Sequence, residues 1–378
     1  MILPPLSLYV HIPWCVQKCP YCDFNSHGQK GEIPQADYVA HLLADLRQDL
    51  HYAQGRKLHS IFIGGGTPSL MSEQSISELL HGIEALIPFN EQIEITLEAN
   101  PGTVEAGRFQ GYVKAGVNRI SIGVQSMQND KLKALGRIHD ANEAVKAAEQ
   151  AHLAGLNSFN LDLMHGLPGQ SIDDALSDLK QIIALQPKHI SWYQLTIEPN
   201  TQFHSKPPVL PEDDILWDIQ EQGHAILEAA GYEQYEVSGY SKAGYQCQHN
   251  LNYWRFGDYL GIGCGAHGKI TLPAQNKLIR TEKVKHPKGY MEETQPYLYK
   301  QWQVEQSDLS FEFFMNRLRL HESCAKTAFS ELTGLPISRL EGAFDKAIEQ
   351  GLLQQNAEVW QVTAKGRRYL NDLLELFV

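Results

Sequence analysis

Apolar residues follow two alternating patterns along the first 240 residues of the chain. Short runs rich in Ile, Val, Phe and Leu predict six strands, at 7–12, 60–63, 93–97, 119–124, 158–163 and 189–195. Between them, apolar residues recur every three or four positions, as at Ile76, Leu79, Leu80 and Ile83, which predicts amphipathic helices. Strands buried on both faces that alternate with helices indicate an α/β fold, with helices outside a parallel sheet.

Six strand–helix units fit two architectures. One is an incomplete (β/α)6 barrel, and the other is an open, doubly wound sheet. In both, ligands bind where the carboxyl ends of the strands lead into loops. The functional residues are therefore expected just after the strands.

The pattern changes towards the end of the chain. A Pro-rich loop at 206–211 precedes a further helix near 213–230. Residues 241–304 are rich in Gly, Tyr and His without a clear period, which predicts an irregular connecting segment. From 305 to 378, three helical stretches, two short strands and a last helix are typical of a winged-helix-like domain. The expected domains are therefore 1–240, 241–304 and 305–378.

Charge and composition exclude several classes of protein. The 378 residues carry a formal net charge of −12, and the winged tail is nearly neutral, so a partner recognised through a phosphate backbone is not expected. No stretch of about 18 consecutive apolar residues is present, and the first residues do not resemble a signal peptide. We therefore expect a cytoplasmic protein that neither spans a membrane nor binds nucleic acid.

Three of the six cysteines lie within eight residues, directly after the first predicted strand. They are Cys15, Cys19 and Cys22. Three unreactive thiols would be an unusual coincidence in a cysteine-poor chain. A structural zinc site needs four ligands, and the other cysteines (Cys247, Cys264 and Cys324) are more than 220 residues away. The spacing favours an iron–sulfur cluster with one iron left open for another ligand.

Two further features point to the same side of the sheet. Gly64, Gly65 and Gly66 follow the second strand without the Lys-Ser/Thr ending of a phosphate-binding loop, so they indicate either a tight turn or close approach to a ligand. Polar residues lie near the ends of three successive strands, at Glu98, Gln125 and Asp162. Because parallel strands end at one edge, these residues are expected to share a site with the cysteines.

Together these motifs resemble the radical S-adenosylmethionine superfamily over residues 7–240. The resemblance implies a 4Fe–4S cluster on Cys15, Cys19 and Cys22, with the amino and carboxylate groups of S-adenosylmethionine on the fourth iron. It also implies an electron donor, because an electron from the reduced cluster would cleave the sulfur–ribose bond of S-adenosylmethionine and release methionine and a deoxyadenosyl radical.

A wider match covers nearly the whole chain. The strings HIPWC at 11–15 and DLMHGLPGQ at 162–170 resemble the oxygen-independent coproporphyrinogen dehydrogenase family. That resemblance assigns Tyr9, Gly65 and Glu98 to the cluster-bound S-adenosylmethionine. The positions that hold a second molecule in the dehydrogenase correspond to Tyr21, Gly66, Thr67, Gln125, Arg137 and Asp162.

The chain departs from the dehydrogenase at two places. Phe24 stands where the dehydrogenase has a further cysteine, and the first strand begins at Ser7 without the dehydrogenase's N-terminal extension. The string HNLNYW at 249–254 resembles instead the haem chaperone branch of the family. This implies a protein that binds haem and hands it to an acceptor protein, with transient membrane contact if that acceptor is a membrane protein.

The same string contains the expected haem-binding residues. His249 is the predicted axial ligand, Cys247 is an alternative ligand, and Tyr253 and Trp254 are expected to pack against the porphyrin. Because the string follows the six strand–helix units, we expect it to stand apart from them. Two other functions remain open at this point: coproporphyrinogen dehydrogenation, and electron transfer without catalysis. The glycine loop and the acidic strand ends disfavour the second, since an electron carrier does not need them.

Overall fold

The computed structural model of the chain describes residues 1–103 and 108–378. All six expected strands are present in the described residues: β1 Leu6–Ile12, β2 Leu58–Gly65, β3 Phe89–Ala99, β4 Arg119–Gln125, β5 Ser158–His165 and β6 His189–Gln194. They pair in parallel in the order of the chain. The predicted α/β fold with an incomplete barrel is confirmed.

Six more strands extend this sheet at both edges. They are β7 Glu233–Gln234, β8 Gly239–Ser241, β9 Asp258–Ile262, β10 His267–Leu272, β11 Lys277–Lys283 and β12 Leu298–Gln303. The order across the sheet is β12-β11-β10-β9-β1-β2-β3-β4-β5-β6-β8-β7. The seven central strands, from β9 through β1 to β6 in this order, run parallel. The strands outside them at both edges pair antiparallel. The two outer strands do not meet, so the barrel stays open.

The prediction of an irregular segment at 241–304 is wrong. Four of the sheet strands and the helix Gln248–Trp254 lie in it, and β9 pairs in parallel with β1. Glycines hide the strand pattern: a Cβ on Gly261 would lie 2.0 Å from the backbone oxygen of His267 on β10. Glycine is needed there because two backbones approach closely, whereas in the sequence the same glycines resemble a loop.

Helices cover the outer face of the sheet. Leu8 and Val10 of β1 and Ile61 and Ile63 of β2 point to this face and are fully buried. The helices of the core and the strand extension are Gln35–Asp49, Glu73–Leu86, Arg108–Ala115, Asn129–Ala134, Ala141–Leu153, Ile172–Ala184, Gln202–Ser205, Asp213–Ala229, Gln248–Trp254 and Pro287–Tyr290. Side-chain caps define several N-termini, as at Ser171, whose hydroxyl accepts from the Asp174 backbone N–H at 3.2 Å.

The helix Gln248–Trp254 packs on the opposite, inner face; we call it the interior helix. Alternate residues of β2 and β3 face it, and Glu94 of β3 accepts hydrogen bonds from the backbone N–H groups of Gln248 and His249 at 3.0 and 3.1 Å. Glu98 lies on the same side of β3, four residues nearer the carboxyl end. The interior helix therefore fills the inner face below the level of the expected site.

The C-terminal part has its own aromatic core. Its helices are Leu309–Arg317, Lys326–Thr333, Glu341–Glu349, Ala364–Arg368 and Leu370–Glu375, and its short sheet contains Cys324–Ala325, Leu353–Gln355 and Val359–Val362. The predicted last helix is therefore two short helices. Phe314 contacts Phe344 and Phe377, and Phe256 of the preceding segment packs on Phe313 in the same core. No helix of the described residues has the length and apolar character to cross a membrane.

Candidate functional site

The glycine loop brings the ends of β1 and β2 into direct contact. The backbone N–H groups of Gly66 and Thr67 donate to Ile12 and Trp14 carbonyls, each at 2.7 Å. A Cβ on Gly66 would lie 2.4 Å from the Trp14 carbonyl oxygen, and Gly65 has a φ of 116°, which favours glycine. The glycines therefore allow the cysteine loop, which follows β1, to lie against the end of β2.

Eleven of the thirteen predicted site residues line one cavity of about 420 Å³, here called the thiol cavity. They are Cys15, Cys19, Cys22, Tyr21, Gly65, Gly66, Thr67, Glu98, Gln125, Arg137 and Asp162. Tyr9 lines an adjoining cavity of about 1000 Å³, here called the outer cavity, which shares Gly65 and Glu98 with the first. His249 lines neither of these cavities.

Four carboxyl groups line the thiol cavity, and two of them, Glu98 and Asp162, lie on strands of the sheet. Glu98 Oε2 accepts the backbone N–H of Gly65 at 3.0 Å, and Asp162 accepts from Asn160 Nδ2 at 2.7 Å and Ser121 Oγ at 3.3 Å. Burial, together with the nearby Asp162, raises the pKa of Glu98 to about 8, and burial also raises the pKa of Asp162. Glu98 is therefore mostly protonated near neutral pH until a ligand with an amino group or another cation adjoins it.

Arg137 connects the cysteine loop to the strand ends. Its Nη2 donates to the Gly123 carbonyl at 2.6 Å and to Asn100 Oδ1, while Nη1 lies 3.7 Å from Cys19 Sγ and 3.4 Å from the Tyr21 hydroxyl. The guanidinium is therefore held beside the Cys19 sulfur by its bonds to the strand ends. Arg137 thus holds the loop in place and supplies positive charge to it.

The donor set fits a cubane cluster held by three thiolates. Cys15 is buried, Cys19 and Cys22 are partly exposed, and all three are free. Burial raises the pKa of Cys15 and Cys22, so both are thiols before loading and release protons on binding iron. Among the described residues, no three His, Cys, Asp or Glu side chains converge as they would around one metal ion. A cubane does not require this, because each thiolate binds a different iron.

Other residues of the thiol cavity were not predicted from the sequence. Tyr193 donates from its hydroxyl to Gln125 Oε1 at 3.0 Å, and Gln194 and Thr196 follow it at the end of β6. Gln125 has a φ of 71°, a left-handed conformation unusual for a residue other than glycine. The signal for Tyr193 was available, because the strand-end argument used for β3, β4 and β5 applies equally to β6.

His249 lies below both cavities. Its side chain is only 1 % exposed, Nδ1 is 2.9 Å from Ser60 Oγ, and the ring packs against Phe62. Burial lowers its pKa to about 3, and Cys247, also buried, has a pKa raised to about 12. The expectation that this string stands apart from the strand–helix units is therefore wrong, because the interior helix packs inside them. A ligand role for either residue remains a prediction.

Tyr253 connects the interior helix to the outer cavity. Residues four apart lie on one helix face, so Tyr253 lies directly above His249, with their ring centroids 4.6 Å apart. Tyr253 lines the outer cavity together with Tyr259 of β9. Tyr253 thus reaches a ligand-sized space that the histidine of the string does not reach.

Comparison with known proteins decides the family. Residues 9–182 match the model of the radical SAM superfamily, and residues 304–369 match that of the HemN C-terminal domain. A protein described as heme chaperone HemW, from Escherichia coli, is 62% identical over 376 residues, which cover 100% of this chain and 99% of the relative. The chain belongs to the HemW family.

Other HemW proteins match over similar lengths. The protein from Haemophilus influenzae is 61% identical over 100% of this chain and 98% of its own, and the one from Bacillus subtilis is 31% identical over 98% and 99%. The solved structure of coproporphyrinogen III oxidase (HemN) from Escherichia coli, a radical SAM enzyme, has a TM-score of 0.83 at 22% identity, over 99% of this chain and 90% of that one. The fold is therefore shared with HemN, and the resemblance to the superfamily is confirmed.

Proposed function

We propose that this HemW-family chain carries haem and delivers it to an acceptor protein, and that it also binds a 4Fe–4S cluster and S-adenosylmethionine. The observation that carries the proposal is the pair of adjoining cavities. Three thiols and four carboxyl groups line one, and tyrosines and histidines line the other. Relatives that are 62% and 61% identical over the full chain are described as haem chaperones, which supports the same reading.

The thiol cavity would hold the cluster and S-adenosylmethionine. Cys15, Cys19 and Cys22 would bind three irons, and Glu98 would accept a hydrogen bond from the amino group of S-adenosylmethionine on the fourth. Bound there, the cluster would supply the electron that reduces S-adenosylmethionine, so an electron donor is a proposed partner. Tyr9 and Gly65 would adjoin the same ligand on the side of the outer cavity.

The remaining cavity residues would position further parts of the ligand. The Asp162 carboxylate suits ribose hydroxyl groups, and Arg137 suits a carboxylate. Gln125 is fixed by Tyr193, so its amide is oriented before a ligand arrives. Tyr21, Gly66 and Thr67 line the same wall, where the dehydrogenase family holds a second S-adenosylmethionine.

Phe24 argues against coproporphyrinogen dehydrogenation as the main activity. Its side chain is 58% exposed and lies where the thiol cavity and the outer cavity meet. The dehydrogenase family has a cysteine at this position, and a phenyl ring supplies neither its thiol nor its polarity. An exposed phenyl beside a large cavity is instead suited to cover part of an apolar ligand.

The two functions are separated by one anaerobic experiment on protein with a reconstituted cluster. We expect haem to bind with a saturable change in the Soret difference spectrum. We expect no protoporphyrinogen from coproporphyrinogen, measured as porphyrin fluorescence after oxidation, in the presence of S-adenosylmethionine and a reductant. Repeated turnover of coproporphyrinogen without haem binding would contradict the proposed function and establish the dehydrogenase.

A further inference from the structure

The outer cavity has the aromatic surfaces that a flat ligand needs. The rings of Tyr253 and Tyr259 meet edge to face with centroids 4.4 Å apart, and Tyr9 lies in the same lining. Phe24 stands exposed at the boundary with the thiol cavity. Aromatic side chains of this kind contribute large apolar contact areas, and covered apolar area stabilises binding by about 25 cal/mol per Å².

Three histidines line this cavity, and their ring nitrogens differ in availability. Both nitrogens of His11 are engaged, Nδ1 with the Tyr9 hydroxyl at 3.0 Å and Nε2 with the Asn25 carbonyl at 2.8 Å. His27 Nε2 lies 3.3 Å from Asn25 Oδ1. His267 is exposed, and within the described residues its imidazole makes no hydrogen bond. His267 therefore has both ring nitrogens available to a ligand.

The surroundings of His267 suit a metal-binding imidazole. Glu282 of β11 lies directly opposite His267 in the strand register, which places a carboxylate beside it. A carboxylate that accepts a hydrogen bond from a ligating histidine orients the ring and raises its basicity. Glu282 pairs with Lys285 and, in the part of the chain that the structure describes, makes no hydrogen bond to His267, so its effect on the ring is electrostatic. Partial desolvation of the ring, together with the nearby Lys285 and Arg280, lowers the pKa of His267 although Glu282 opposes the shift, and this favours the neutral ring, which is the form that binds iron.

Cations stand at the rim of the same cavity. Lys18 and Lys285 both line it and are exposed, beside the carboxyl groups of Asp23, Glu98 and Glu198. Lys18 donates to the Phe24 carbonyl at 2.9 Å, and Lys285 pairs with Glu282 at 2.9 Å. Ammonium groups in this position can bind the carboxylates of an anionic ligand. An aromatic floor, a free imidazole and two rim lysines together match the three parts of haem: the macrocycle, the iron and the propionates.

We propose that haem binds in the outer cavity with His267 as an axial ligand, with its macrocycle over Tyr253 and Tyr259 and its propionates towards Lys18 and Lys285. This inference rests on the proposed haem-carrying function and assigns it a site. It also gives the four-residue spacing of His249 and Tyr253 on the interior helix a physical role, because Tyr253 forms the floor while His249 supports it from below.

The test is a haem titration of three single variants beside the parent, all with an intact iron–sulfur cluster. The variants are His267→Ala, His27→Ala as the matched cavity histidine, and His249→Ala. We expect His267→Ala to shift the Soret difference band, to remove the imidazole signature from the ferric haem electron paramagnetic resonance spectrum, and to weaken binding at least about tenfold. Added free imidazole should restore the signature, and His27→Ala should keep it.

The outcomes are distinguishable. Loss of the imidazole signature in His27→Ala or His249→Ala, but not in His267→Ala, assigns the ligand elsewhere and overturns the inference while the proposed function stands. An unchanged signature in all three variants also overturns it. Failure of the parent protein to bind haem overturns the proposed function itself. A loss in His267→Ala that free imidazole repairs supports the assignment, since a merely misfolded variant would not respond.

Discussion

Replacing Cys15, Cys19 or Cys22 by alanine is expected to abolish the iron–sulfur cluster. The three thiols line one cavity, and in the described structure the other three cysteines lie outside it. Only three thiolates bind the cubane, because its fourth iron has no protein ligand. Removal of one thiolate would leave two iron–thiolate bonds, which we expect to be too few to retain the cluster. We expect the iron and sulfide content and the visible charge-transfer absorption of anaerobically reconstituted protein to fall to background in each variant.

Cysteine variants outside the cavity provide matched controls. Cys324 lies in the C-terminal sheet, and Cys247 and Cys264 are buried with pKa values raised to about 12. Cys324→Ala, Cys247→Ser and Cys264→Ala should therefore keep parental iron and sulfide. Loss of the cluster from a folded control variant, or its retention in one of the three cavity variants, would contradict the ligand assignment.

The largest expected loss of stability follows replacement of Lys283 by methionine. Lys283 is fully buried in β11, and its ammonium group pairs with Asp45 and with Asp49, the latter at 2.7 Å. Burial alone would lower the pKa of Lys283, but the two carboxylates outweigh this and raise it, so the group is charged. Methionine would leave two buried carboxylates without their cation, which typically destabilises a fold by about 3–5 kcal/mol.

The measurement is urea unfolding of the metal-free protein, with Lys285→Met as the control. Lys285 lies two residues further along and is 67% exposed at its side chain, so its ion pair with Glu282 contributes little to stability, at most about 1 kcal/mol. We expect a large drop in the unfolding midpoint for Lys283→Met and a small one for Lys285→Met. Equal, small effects would show that the strand extension is not held to helix Gln35–Asp49 by this ion pair.

The strands of the core could be predicted because each is a short apolar run with both faces buried. The strands between 258 and 303 were not predicted, because glycines interrupt their apolar pattern. These glycines allow two backbones to approach closely and contribute no side chain to the core. Gly261 packs against a backbone oxygen of β10. A Cβ on Gly263 would lie 2.4 Å from the His11 carbonyl oxygen, so only glycine fits there. Apolar periodicity does not record such contacts, so a region dense in glycine resembles a loop.

The residues of the thiol cavity could be predicted because parallel strands end together. Glu98, Gln125 and Asp162 are far apart in the chain yet line one cavity, as that argument requires. The burial of His249 could not be predicted in this way. It depends on Ser60 and Glu94, which face inward from strands far away in sequence. Ser60 hydrogen-bonds to the His249 ring, and Glu94 accepts a hydrogen bond from the His249 backbone N–H.

The proposed haem ligand in the outer cavity could not be predicted from the sequence either. His267 and Glu282 face each other only because β10 and β11 pair in one particular register. Nothing in the local sequence marks either residue as functional. The resemblance to haem chaperones directed attention to the string at 249–254, of which only Tyr253 lines the outer cavity.

The central claim is that haem is a cargo and not a resident group, and haem handover tests it most directly. Protein loaded with one haem and an intact iron–sulfur cluster is mixed anaerobically with excess apomyoglobin, and the myoglobin Soret band is followed with time. We predict complete transfer, no loss of iron or sulfide from the cluster, and renewed loading of the same protein with haem. Haem that stays on the chain after prolonged incubation, or that leaves only as the cluster is destroyed, would contradict the account.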